Sequence, residues 1–201
     1  MSLKNVKTDE YLYHITDINH LESIIKNGLC SRHTLLKLGI EFNNIADREI
    51  IYKRGNLDHY VPFHFNPYTS FDYSVRNNNP DKTFIYLCIE RNFAKNTNFK
   101  ILTQHPLANN NYIDNNLYDY EEGIKRIDFN IMSKRKEEIK AENIDKNIAK
   151  QIKMSECLAP KKIMFDDISL IIVKDIQIRE YVEKILLKNG KNLNVEVRNI
   201  F

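Results

Sequence analysis

The alternation of apolar and polar positions lays out the elements of this chain. Tyr11-Leu12-Tyr13-His14-Ile15 reads as a first strand, rich in side chains that suit a pleated surface. A helical period follows: Ile18, Leu21, Ile24 and Ile25 share one face, with Asp17 placed to cap the helix and Gly28 to close it. A short helix is expected through Leu35 to Leu38. The segments Tyr60-Val61-Pro62-Phe63-His64-Phe65 and Thr83-Phe84-Ile85-Tyr86-Leu87-Cys88-Ile89 read as the next strands. Pro62 lacks a ladder donor and predicts an edge or a bulge. Residues 105–150 are polar and aromatic with weak helical signals. Later strands are expected at Met154 to Leu158, Ile168 to Val173 and Leu193 to Val197. Before the last of these, a helix uses Ile178, Tyr181, Val182, Ile185 and Leu186 and ends at Gly190. Strands outnumber well-defined helices and do not alternate with them, which predicts an α+β fold. No repeat or Pro/Gly/Ser linker divides the sequence, so residues 1–201 are expected to form a single domain.

Composition excludes more than it suggests. Apolar residues are 42% and charged residues 28%, as in an ordinary globular protein, and the net charge of +3 permits nucleic-acid contact without arguing for it. The most apolar stretch, Ile168 to Val173, is too short to span a bilayer. The N-terminus carries no apolar h-region of the kind a secretory signal requires, so a cytoplasmic location away from membranes is expected. Cys30, Cys88 and Cys157 form no CxxC pair and read as small core residues. Only five glycines exist (Gly28, Gly39, Gly55, Gly123, Gly190), too scattered for GxGxxG, GxxxxGK or GxSxG. Any nucleotide is therefore held by other means. The six histidines show no metal signature, and His59 and His64, five apart, fall on opposite faces of a strand.

Three segments carry candidate chemistry. In Tyr13-His14-Ile15-Thr16, alternation puts His14 and Thr16 on one face, a pair able to hydrogen-bond a ribose or an amide. The alternative is a backbone-satisfied histidine beside a helix cap. A charged stretch from Ile45 to Arg54 feeds the aromatic strand at Tyr60, where arginine can supply planar donors to phosphates or simply line a solvated helix. In Lys153-Met154-Ser155-Glu156-Cys157-Leu158-Ala159, Glu156 stands in a mostly apolar strand. A carboxylate there is costly to desolvate unless it is paired or functional, or unless it faces solvent.

In this order the segments resemble the DarT family of DNA ADP-ribosyltransferase toxins. That family opens with a Tyr-His-Ile-Thr strand and an apolar helix ending Gly-Leu, as at Gly28-Leu29. An Ile-Ala segment then leads to an arginine pair and a Tyr-Val-Pro-Phe-Tyr-Phe strand. Further on, Leu102-Thr103-Gln104-His105 answers to a Thr-Asp-Gly-His-like segment, Ile127-Asp128-Phe129 to Ile-Asp-Trp, and Ser155-Glu156-Cys157-Leu158-Ala159 to Ala-Glu-Phe-Leu-Val. The resemblance runs from about residue 11 to 174, and its specificity lies in the order of the motifs. The sequence departs from the pattern at Pro67-Tyr68-Thr69-Ser70, where an arginine is lost, at Phe129 in place of tryptophan, and at Gln104.

The resemblance implies an ADP-ribosyltransferase-like fold, with two small β-sheets forming an NAD cleft between flanking helices. NAD is then the co-substrate, with no metal, and the acceptor is a base of single-stranded DNA, thymine in the usual branch. Guanine, or an RNA or protein acceptor, are the alternatives, and a silent nucleic-acid-binding module is a third. By the match, Glu156 and Arg54 are the catalytic pair, with Arg48 and Lys53 as other candidates for the arginine. His14, Thr16, Gly28 and Arg54 bind the cofactor. His105, Tyr112, Tyr118, Lys134 and Arg135 lie on the DNA side, with Tyr120 and Lys136 nearby. The implied role is that of the toxin of a toxin–antitoxin pair, a monomer whose partner is a macrodomain antitoxin.

Overall fold

A computed structural model of the chain describes residues 6–42, 54–106 and 117–200. The first strand, β1 (Tyr11–Asp17), runs into a 3-10 turn (Ile18–His20) and helix α1 (Leu21–Asn27). Asp17 makes this turn by accepting the Asn19 N–H. Then come β2 (Leu29–Cys30), α2 (Arg32–Leu38), a 3-10 helix (Gly55–His59), β3 (Tyr60–His64), α3 (Ser70–Asn78) and β4 (Phe84–Glu90). Next are α4 (Arg91–Asn96), β5 (Lys100–Leu102) and β6 (Leu117–Asp119). The stretch with weak helical signals forms four short helices, α5 (Tyr120–Arg126), α6 (Phe129–Ser133), α7 (Lys136–Ala141) and α8 (Lys146–Lys153). The chain continues through β7 (Glu156–Pro160), β8 (Lys162–Ile163), β9 (Leu170–Val173), α9 (Ile176–Lys188) and β10 (Val195–Val197).

Eight strands form one sheet in the order β10-β9-β4-β1-β3-β7-β5-β6, and β2 pairs with β8 in a separate ribbon. The ladders are unequal. β1 and β4 pair over seven residues, and β3 and β7 pair over five, from Tyr60↔Pro160 to His64↔Glu156. Between them, β1 and β3 share the single pair Tyr13↔His64. The sheet is therefore two four-stranded halves joined at a seam, which is how the expected pair of small sheets is realised.

Pro62 is the place where sequence reasoning misplaced a strand. β3 is interior in strand order, not an edge. Proline is tolerated because the ladder toward β1 is absent at Pro62, and the carbonyl of Pro62 takes the His14 ring N–H instead. The strand expected from Met154 starts two residues later, since α8 runs through Lys153 and Met154 is its C-cap.

Apolar side chains cover both faces of the sheet. On one, Leu12, Phe63, Ile85, Leu87 and Ile171 meet Leu21 and Ile24 of α1 and Val182, Ile185 and Leu186 of α9. On the other, Tyr13, Ile15, Tyr86 and Ile172 pack with Val75 of α3. Tyr181, expected on the buried face of α9, is half exposed. The three cysteines are buried and unpaired. Among the described residues no helix is long and apolar enough to cross a membrane.

Candidate active site

The cleft opens where β1 and β3 diverge. His14 leaves β1 on the face that Leu12 shares, whereas His64 leaves β3 on the opposite face, packing near Phe71. Both nonetheless line one cavity of about 240 Å³, together with Thr16, Gly28, Arg54, His105 and Glu156. Leu29, Leu35, Phe42 and Leu57 add apolar walls and Arg32, Glu41 and Asp58 charged ones, the usual mixture of a small-molecule site.

At one end Arg54 and Glu156 form a two-pronged ion pair. Nη1 donates to Oε1 at 2.7 Å and Nη2 to Oε2 at 2.8 Å. Arg54 caps the 3-10 helix before β3, and Glu156 begins β7, so the β3–β7 ladder fixes their approach. Glu156 is only 3% exposed. Burial by itself would raise its carboxyl, but the Arg54 charge and hydrogen bonds outweigh that and hold it below the ordinary glutamate value. Arg54 shows the reciprocal effect: burial opposes its charge, and Glu156 raises its pKa. Each partner thus favours the charged form of the other.

At the other end the His14 Nδ1–H donates to the Pro62 carbonyl at 2.8 Å, which leaves Nε2 as an acceptor. Burial, aided by the charges of His64 and His20, lowers this histidine to about 4 and keeps it neutral, although the bond to Pro62 works the other way. The Thr16 hydroxyl lies 3.3 Å from His20 Nδ1. Gly28 terminates α1 at φ +83° and ψ 166°, and a Cβ there would lie 2.7 Å from the Ile163 carbonyl. This glycine lets the β2–β8 ribbon close over the cavity wall.

Among the remaining sequence candidates, His105 joins the cavity, its N–H bonded to the Gln151 carbonyl and its imidazole pKa lowered chiefly by burial. Tyr118, Lys134 and Arg135 do not line it. The Tyr118 ring packs under Arg126, Lys134 pairs with Glu142 at 2.6 Å, and Arg135 is exposed with its N–H on Glu138. Tyr112, Arg48 and Lys53 lie outside the described residues. His64 was missed because only its spacing to His59 was weighed. His59 is outside the strand, stacked on His33 at 4.0 Å between ring centres. Alternation within β3, which puts Tyr60, Pro62 and His64 on one face, was the signal available. No group of three metal-ligating side chains occurs among the described residues.

Solved structures share this architecture. Thermus sp. 2.9 DarT in complex with ADP-ribosylated ssDNA superposes with a TM-score of 0.74 at 19% identity, covering 94% of each chain. The same protein in complex with NAD+ gives 0.73 at 18%, covering 95% of this chain and 96% of that one. Thermosipho africanus DarTG in complex with ADP-ribose gives 0.71 at 20%, covering 94% of this chain and 50% of the other. No curated protein matches the chain by sequence. The fold is therefore that of an ADP-ribosyltransferase, an enzyme class that uses NAD as co-substrate. Residues 13–201 match the family described as ssDNA thymidine ADP-ribosyltransferase, DarT, and the chain belongs to that family.

Proposed function

We propose that this chain transfers ADP-ribose from NAD to the base of thymidine in single-stranded DNA, with Glu156 and Arg54 as the reacting pair. The observation that carries the reading is the buried, doubly hydrogen-bonded Arg54–Glu156 pair at the cavity wall of a DarT-family fold. A carboxylate kept ionised in a nearly dry site is suited to stabilise the cation that develops on the ribose as nicotinamide leaves. NAD fits the lining: His14 and Thr16 offer an acceptor and a hydroxyl, the close turn at Gly28 opens backbone to the ligand, and apolar walls take flat rings. Arg54 steadies the carboxylate and brings a fixed cation beside the diphosphate.

A base inside a duplex is hidden, so an unpaired strand is the natural acceptor. The reading places the enzyme in the cytoplasm, where NAD and DNA meet, as a monomeric toxin held in check by a macrodomain antitoxin. The similarity to a protein named DarTG supports the partner. Lys134 and Arg135 lie outside the cavity, where they are suited to following the DNA backbone.

The test is transfer from labelled NAD to single strands that differ in one base. Label on thymidine-containing strands alone, reduced at least ~100-fold by Glu156→Ala, is expected. Undiminished turnover in that variant would remove Glu156 from the reaction. Label only on guanine, RNA or protein would redirect the acceptor.

A further inference from the structure

His64 is buried, 6% exposed, and lines the cavity in direct register with Glu156. Its Nδ1 has no hydrogen-bond partner among the described residues. Asp72 Oδ1, the other orphaned buried side-chain atom among them, belongs to a neighbouring group whose charge interacts with His64. The second Asp72 oxygen is occupied, accepting the Thr69 hydroxyl at 2.6 Å and the Thr69 N–H at 3.2 Å. Asp72 is thereby anchored at the start of α3 with one oxygen left over, in a charge interaction with an imidazole whose Nδ1 lacks a partner. Donation of Nδ1–H to that oxygen would satisfy both atoms and fix the tautomer whose Nε2 is an acceptor.

The proposed reaction calls for such a group. In thymidine, N1 holds the sugar, so the remaining ring nitrogen, N3, carries a proton that must go when it becomes the nucleophile. Both Glu156 oxygens are occupied by Arg54, and Arg54 stays protonated. His14 is too weak a base for the task, its pKa pushed down to about 4, and burial depresses His105 as well.

We infer that His64, backed by Asp72, accepts the proton that the acceptor base loses as it is joined to the ribose. The inference rests on the transfer reaction proposed above. In that step the ribose–nicotinamide bond breaks and its electron pair leaves on nicotinamide. N3 forms the new bond to ribose C1″ with its own pair, and the N3 proton passes to the His64 ring and then to solvent. The titratable or charged groups that interact with His64 are Glu156 of β7, His14 of β1, Asp72 of α3 and His105 after β5, with Arg76 acting on Asp72 and Arg54 on Glu156.

Single-turnover transfer from NAD to a thymidine-containing single strand, followed across pH for wild type, His64→Gln and His64→Ala, tests this. Both variants should slow transfer by ~100-fold or more while KM for NAD changes by no more than about twofold. The pH limb of the wild-type rate should vanish in both, and imidazole in the buffer should restore part of the rate to His64→Ala. His64→Gln keeps a polar side chain of similar size, and its thermal melt reports whether the fold is retained. Transfer by folded His64→Gln at close to the wild-type rate, a retained limb, or a loss confined to KM would overturn the assignment while leaving the transfer reading intact. Wild type that labels no strand would overturn that reading, and the inference with it.

Discussion

A carboxylate and a guanidinium withdrawn from water hold each other in place, and neither can be removed alone at low cost. Arg54→Ala leaves the Glu156 charge buried without a partner, and the expected destabilisation is about 3–5 kcal/mol, measurable as a shift of the denaturant midpoint. Glu156→Gln keeps hydrogen-bonding capacity and should cost less. The pair also sets a pH dependence. The folded carboxyl titrates below its unfolded value, so its contribution is complete above an ordinary glutamate pKa of about 4.3 and is lost as pH falls through the lower folded value. Wild type should therefore lose stability in that acid window relative to Glu156→Gln, and parallel pH–stability curves for the two would contradict the linkage. The residues of this pair stand 102 positions apart. Nothing local in either segment joins them, and only the ordered family pattern singled them out together.

At the scale of elements, much was legible because the signals were local. The alternation in β1 put His14 and Thr16 on one face, and the cavity receives both. Gly28 was read as the end of α1, which it is, at a backbone conformation nearly exclusive to glycine. Gly28→Ala should cost about 1–3 kcal/mol from backbone strain, with more from the contact with Ile163. It should also raise KM for NAD by shifting β2 against β8. A thermal melt and a saturation curve check both, and a variant with unchanged KM would detach the ribbon from the binding site. One reading failed for a different reason, namely that its outcome depends on neighbours. Pro62 marks an edge by its own chemistry, but here it sits at a seam whose ladder is missing. The short helices between β6 and β7 have too few residues each to show a period.

For the molecule as a whole, the seam sets how binding and stability are coupled. The cavity draws Thr16 from one half of the sheet and Glu156 from the other, so a ligand bridges what the backbone ladder does not. A non-hydrolysable NAD analogue at 100 times its Kd should stabilise the fold by about 2.7 kcal/mol. Hydrogen exchange should slow in β1 and β3 together. Protection confined to one half would show that the ligand does not span the seam.

The threading of the chain through these halves has a consequence for synthesis. The half containing β1 is assembled from residues 11–17, 84–90, 170–173 and 195–197, so its strands come from nearly the full length of the polypeptide. All the side chains that line the cavity lie between His14 and Glu156, yet β4 stays unpaired on its outer side until β9 emerges from the ribosome. A nascent or prematurely terminated chain thus carries the whole reactive inventory without the scaffold that brings it together. The walls of the cavity are therefore held in place only after β9 has paired with β4, long after the last residue that lines it has been made.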